Sequence, residues 1–505
     1  MRSNLMKLMV LGIVLMVAVI VIGGITPTAA DAPQAAPPTI VLPTPAATRA
    51  PRTVTPTSAA APKAPMRVVA TPTRTPTKIA VRQPRSIPGP SGSYSSSFTI
   101  QNMATSSASC SYTIYNSTGG TAYTSSTFSI AVGGSNFTYV PSISGLASGQ
   151  YSAVISCDQQ VAAISNFASS NSGGAYKGVD GSAVGTVWYA PMAFNNYYNF
   201  YTNFVVQNAT SSPVNVTVEI INPSGTVVAT QTANNVPAYS FANIEQTGLA
   251  GTSANVQYSA KITGTGNIAV EANIFGGDGT ADSLKLSAYT PFTSGATTIY
   301  APVIMNNYYG YSTSLNVQNI GTSSTTVTVT YGTGLVASQS VAAKSSAVFY
   351  TPSSGLPSGT NTSAKIESSG SQPIIGVVNE TNGYKRGASY STFSGGSLTV
   401  RAPIAMKRYF KYNTSINCQN IGTASTNLTI NYSNGASSTQ NSIAVNTVAL
   451  FYQPNEAGLP NGFNGSATIT SSSQPIVCVI NEDQNEPPES TTSFDQGAAY
   501  EGLNQ

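Results

Sequence analysis

The 505 residues are enough for several domains, and the charged share of 8% falls far below the ordinary quarter, with Ser, Thr, Asn, Gly and Tyr in its place. Histidine is absent, which removes Ser-His-Asp and Cys-His catalysis and the commonest metal ligand together. The net charge of +4 is unevenly spread: residues 26–92 hold eight bases and one acid, whereas the chain from Ser93 onward holds eleven bases against sixteen acids and lacks the basic stripe that nucleic-acid binding needs.

Arg2 and Lys7 precede an apolar run from Leu8 to Ile25, and small residues follow to Ala30. This is the order of a secretory signal. The run is also long enough to cross a bilayer as a helix. Residues 1–30 are therefore expected to be either a signal peptide cleaved after Ala30 or an apolar helix that anchors the chain through residues 8–25. Both readings export the protein to the cell surface or the exterior, with membrane contact through this segment alone. Residues 31–92 are Pro, Thr and Ala with scattered bases, a composition that cannot bury enough apolar surface to order itself. A disordered stalk is expected there.

The rest is repetitive. Tyr189-Ala-Pro-Met-Ala-Phe-Asn-Asn-Tyr-Tyr, Tyr300-Ala-Pro-Val-Ile-Met-Asn-Asn-Tyr-Tyr and Arg401-Ala-Pro-Ile-Ala-Met-Lys-Arg-Tyr-Phe are one motif. Pro191, Pro302 and Pro403 each stand sixteen residues before a Gln-Asn pair, at Gln207, Gln318 and Gln419; a fourth pair at Gln101 lacks the Ala-Pro motif. Eight residues after each asparagine an alternating strand begins, with Cys110, Tyr112 and Ile114, then Val216, Val218 and Ile220, then Val327, Val329 and Tyr331, then Leu428, Ile430 and Tyr432 in phase. Later the pattern Ser-Ala-x-Ile recurs at Ser152, Ser259, Ser363 and Ser466. About seven short strands in each ~100 residues give an all-β fold, a tandem array of four immunoglobulin-like β-sandwich modules. The modules fall at 93–180, 181–290, 291–397 and 398–505, the last ending in a strand near Ala498–Leu503.

Four cysteines in an exported chain suggest disulfides. Cys110 and Cys157 fall on core-facing phases of module one, and Cys418 and Cys478 take the places of Val317 and Gly376. The local pairings Cys110–Cys157 and Cys418–Cys478 are expected.

The aromatic clusters after the Ala-Pro motif are the candidate binding residues: Tyr197, Tyr198, Phe200 and Tyr201; Tyr308, Tyr309 and Tyr311; Tyr409, Phe410 and Tyr412. Two readings fit them. The rings pack between modules or over a sandwich edge, or they offer sugars their faces with amides of Asn195, Asn196, Asn306 and Asn307 at the rim.

No catalytic residue, metal or cofactor is assigned. Glu380 and Glu482 recur in Asn-Glu pairs, but no second carboxylate recurs to make the pair a glycosidase needs, and nothing favours Glu271 or Asp278 for that place. The loop from Asp278 to Asp282 lacks the full oxygen set of a calcium site. Lys261 and Lys365 alternate with buried phases and are expected to face solvent.

Tyr300-Ala-Pro-Val-Ile-Met-Asn-Asn-Tyr, Val317-Gln-Asn-Ile-Gly and Ser371-Gln-Pro-Ile-Ile-Gly-Val-Val-Asn-Glu together resemble a repeat of secreted and surface proteins of filamentous green non-sulfur bacteria (Chloroflexota). The resemblance covers about 187–486 and implies extracellular β-sandwich modules with no catalytic residues to carry over. The expected function is that of a non-enzymatic structural or interaction protein of the cell surface, whose partners are the cell envelope, itself or neighbouring surface proteins. The alternative is a polysaccharide-binding adhesin that uses the Tyr and Asn clusters.

Overall fold

The computed structural model describes residues 17–23, 94–169, 172–276, 285–382, 386–484 and 497–505. The expected stalk and the Asp278–Asp282 loop lie outside them. Among the described residues there is no α-helix, and no helix is long and apolar enough to cross a membrane.

The strands build antiparallel sheets that come in facing pairs, as expected of β-sandwich domains in tandem. Repeat three shows the plan. One sheet runs Ser346–Tyr350, Tyr311–Asn319, Ile374–Asn382, Arg386–Ser391; the other runs Thr298–Asn306, Thr360–Ser368, Thr325–Tyr331, Val336–Val341. Val327, Val329 and Tyr331 are buried while Thr326, Thr328 and Thr330 between them are not, so period-two alternation fills the space between the sheets. In repeat two the 18-residue strand Ser259–Gly276 passes through both sheets and joins them into one of eight strands. The last strand lies at Ala498–Glu501, with a two-residue continuation at Leu503–Asn504.

Both disulfides are present. Cys110 and Cys157 are direct partners across two antiparallel strands, with S–S 2.03 Å. Cys418 and Cys478 are likewise opposite each other, with S–S 2.05 Å. Each closes a long loop, of 47 and 60 residues in sequence separation. In the chain-entropy model each contributes about 4 kcal/mol.

Tandem order does not mean an open row. The final strand of each repeat packs against those of its two neighbours: Gly173–Lys177 against Lys285–Tyr289, that strand against Arg386–Ser391, that one against Ala498–Glu501, and the last back against Gly173–Lys177. The four repeats form a closed ring. Its fastening is the Gln-Asn pair, all eight residues of which are fully buried. The side chains of Gln207, Gln318 and Gln419 donate to the carbonyls of Ala153, Ala260 and Ala364 in the preceding repeat, and Gln101 closes the circle by donating to Ala467 of repeat four. In return, the hydroxyls of Ser152, Ser259, Ser363 and Ser466 donate forward to the carbonyls of Tyr239, Lys344, Asn446 and Gly133. The asparagines stay at home: Asn102, Asn208, Asn319 and Asn420 each donate to two or more backbone carbonyls of the loops beside them.

The apolar leader is a correction. A helix is expected over 8–25, but the described part, Val17–Gly23, is a strand paired parallel to Tyr151–Cys157. Five of its seven residues are β-branched, which suits a pleated strand as well as a membrane helix.

Candidate functional site: aromatic hairpins and an inter-repeat groove

The Ala-Pro strand and the Gln-Asn strand of repeats two to four are joined by a tight hairpin, and the aromatic doublet forms its tip. In repeat three, Tyr308 and Tyr311 exchange two backbone hydrogen bonds of 2.9 Å around a two-residue loop, with Tyr309 at φ 48° and Gly310 at φ 83°. In repeat four, Tyr409 and Tyr412 do the same around Phe410 (φ 47°) and Lys411 (φ 72°). In repeat two, Tyr198 (φ 48°) and Asn199 (φ 66°) lie between the paired Tyr197 and Phe200. Two positive φ angles mark the type I′ turn, which favours Asn-Gly and resists bulky side chains.

The rings divide into two sets. Tyr197 and Phe200 pack on the core of repeat two, Tyr308 and Tyr311 on that of repeat three, and Tyr409 and Tyr412 on that of repeat four. Tyr201 is buried beside Phe275. The turn residues point outward instead, with Tyr198 60% exposed, Tyr309 84% and Phe410 78%. Each stands edge-on to its half-buried neighbour, with ring centres 4.7–4.9 Å apart.

The neighbouring amides are largely used within the protein. Asn195 bonds Thr252, Asn306 bonds the Leu356 carbonyl, and Asn307 bonds Ser358, so they hold the base of the hairpin. Lys407 takes the same part in repeat four by donating to the Glu456 carbonyl.

Between repeats two and three lies a groove of about 750 Å³. Tyr197, Tyr198 and Phe200 line one wall, and Ser312, Ser314, Asn316, Gln339 and Asn379 supply hydroxyls and amides on the other. The two junctions that follow differ by one residue position. Glu380 and Glu482 pair across their sheets with Thr313 and Thr414, and the residue that pairs with the corresponding Thr202 is Ile274, which lines the groove.

Glu380 and Glu482 act as joints. The side chain of Asn481 donates to Glu380 and that of Asn166 to Glu482, each at 2.8 Å across a repeat boundary. Burial pushes Glu380 up to about 8, with Asp483 adding to the rise, and Glu482 up to about 7. Glu271 is also fully buried and is pushed to about 8 for the same reason. Lys261 and Lys365 are half-exposed and pair with Glu219 and Glu367. Among the described residues there is no cluster of three metal-ligating side chains.

No family model matches the chain, and no curated protein matches it. Among solved structures, the crystal structure of Streptomyces avermitilis alpha-L-rhamnosidase complexed with L-rhamnose aligns with 75% of this chain and 54% of its own, at 9% identity and a TM-score of 0.12. A similarity of that size carries no argument.

Proposed function

We propose that this is a non-enzymatic, exported surface protein of four immunoglobulin-like sandwiches, three of which present aromatic hairpins to polysaccharide. The observation that carries the reading is the turn residue. Three times, a position that favours Asn or Gly holds Tyr or Phe in left-handed backbone, and each time the ring faces solvent. The turn disfavours the ring, and the edge-on contact with its half-buried neighbour leaves most of the ring in solvent, so a ligand is the reason offered for it.

The groove beside Tyr198 has the matching chemistry. Sugar rings stack their C–H faces on aromatic rings, and hydroxyls and amides at the opposite wall take the sugar hydroxyls. The two disulfides indicate an oxidising environment, which fits a place outside the cell. An anchored or tethered form, and the resemblance to surface repeats of Chloroflexota, belong to the same reading.

The test is retention of the full chain on a panel of insoluble and soluble polysaccharides. Tyr198→Ala, Tyr309→Ala and Phe410→Ala together should abolish binding to whichever glycan is held, with the fold intact by circular dichroism. Failure to bind any glycan, or unchanged binding by the triple variant, would reject the proposal. The second reading, self-association through the same exposed rings, is favoured if the triple variant instead loses assembly of the chain with itself.

A further inference from the structure

In repeats two to four the first strand lies between two partners. On one side is the Ser-Ala-x-Ile strand: Ser259–Gly276, Thr360–Ser368 or Phe463–Ser471. On the other is the chain returning from the repeat's last strand, which pairs Phe292 with Tyr189, Phe393 with Tyr300, and Leu503 with Arg401. Repeat one has both partners, Tyr151–Cys157 and Val179–Asp180. Among the described residues, however, no strand of its own lies between them. Val17–Gly23 lies there instead.

The positions correspond residue by residue. Ile20 stands between Val154 and Val179, as Tyr300 stands between Lys365 and Phe393. All seven residues are paired with Tyr151–Cys157, but in parallel, whereas the other first strands run antiparallel.

A tyrosine marks the same difference. The Tyr390 hydroxyl donates to the Val303 carbonyl at 2.7 Å and accepts from its N–H at 3.0 Å, just past the proline of the first strand. Tyr500 does the same with Ile404, at 2.6 and 3.1 Å, and Tyr289 donates to the Met192 carbonyl. The corresponding residue of repeat one is Tyr176. It is 4% exposed, and its hydroxyl faces the side chains of Ser165 and Glu271 instead of a first-strand backbone. An apolar strand without the proline bulge leaves that hydroxyl without a backbone partner.

We propose that repeat one is a strand-acceptor module, completed by an apolar β-strand from outside the repeat, and that Val17–Gly23 of the same chain is that strand. Val-Ala-Val-Ile-Val-Ile-Gly has no charge and a high β propensity, and two unpaired edges give such a strand its backbone bonds. Residues 24–93 can span on the order of 200 Å when extended, so the connection imposes no limit on reach. The proposal rests on the export reading in one respect: the run that enters the membrane during export afterwards closes a sheet. Cleavage after Ala30 would remove it and leave both edges unpaired.

The test uses the full chain. Because the four native cysteines are paired, Ile20→Cys with Val179→Cys adds the only free thiols. A short thiol-reactive crosslinker should join them within one chain, with a yield equal to that of a control, Arg401→Cys with Leu503→Cys, which are strand partners in repeat four. Adding Val21→Asp should abolish the first crosslink and spare the control. A crosslink found only in dimers would overturn the assignment in favour of donation by a second copy. No crosslink at 20 and 179 while the control reacts would overturn it outright.

Discussion

Repeats one and three share a plan and differ by one strand, and the difference shows how much that strand does. In repeat three, Thr298–Asn306 closes a sheet, supplies the backbone that satisfies Tyr390, and leads into the hairpin that carries Tyr309. Among the described residues repeat one has no such strand of its own and none of these three features: its sheet is closed by the leader, the Tyr176 hydroxyl has no first-strand backbone beside it, and there is no aromatic tip. Its disulfide lies across the sheet that is short of a strand, at a position where repeat three pairs Val327 with Ser368. The covalent link therefore stands where edge pairing within the repeat is weakest.

The sharpest way to break the comparison is to remove that link. Cys110→Ala with Cys157→Ala should destabilise repeat one by about 4 kcal/mol in the chain-entropy model. Hydrogen exchange should show Tyr151–Cys157 losing protection while Thr360–Ser368 keeps it. Equal protection in both strands would mean that repeat one is no weaker than repeat three.

The tyrosines come next. Tyr390→Phe leaves the buried N–H and carbonyl of Val303 without their partner and should cost about 1–3 kcal/mol. Tyr176→Phe gives up no bond to a first-strand backbone and should cost less than Tyr390→Phe in thermal unfolding.

The junctions are separated by pH. Glu380 and Glu482 have folded-state values of about 8 and about 7 against an ordinary 4.5, so the folded chain keeps protons that the unfolded chain releases. Stability should be full below pH about 4.5 and should fall as the pH rises through 7 to 8. Glu380→Gln with Glu482→Gln should flatten most of that slope in denaturant titrations at pH 5 and 9, leaving the share of Glu271. An unchanged slope would show that these joints do not titrate.

Much of this was legible in the sequence wherever the signal was local. Alternation marked the buried faces, and strand phase paired Cys110 with Cys157 and Cys418 with Cys478. The Gln-Asn spacing marked the repeats, but the purpose of the glutamine was hidden because its partner lies in another repeat. Gln101 reaches Ala467 from 366 positions away, and no local periodicity encodes a closed ring. The aromatic doublets were visible as doublets. Which ring of each faces water depends on the turn register, and the amides of Asn195 and Asn306 serve the hairpin base rather than a rim. The leader misled because hydropathy and length fit a membrane helix, whereas Val17, Val19, Ile20, Val21 and Ile22 fit a strand equally well.

The central claim is that the hairpin tips hold aromatic rings for contact and at the expense of the turn. Tyr198→Asn, Tyr309→Asn and Phe410→Asn, combined in the full chain, place a residue favoured in left-handed turns at each tip. Glycan retention and unfolding midpoint should then be measured on the same sample. The account predicts that binding is lost while stability rises, by up to about 1 kcal/mol per tip. Binding that survives, or a triple variant that is less stable than the parent, would contradict it.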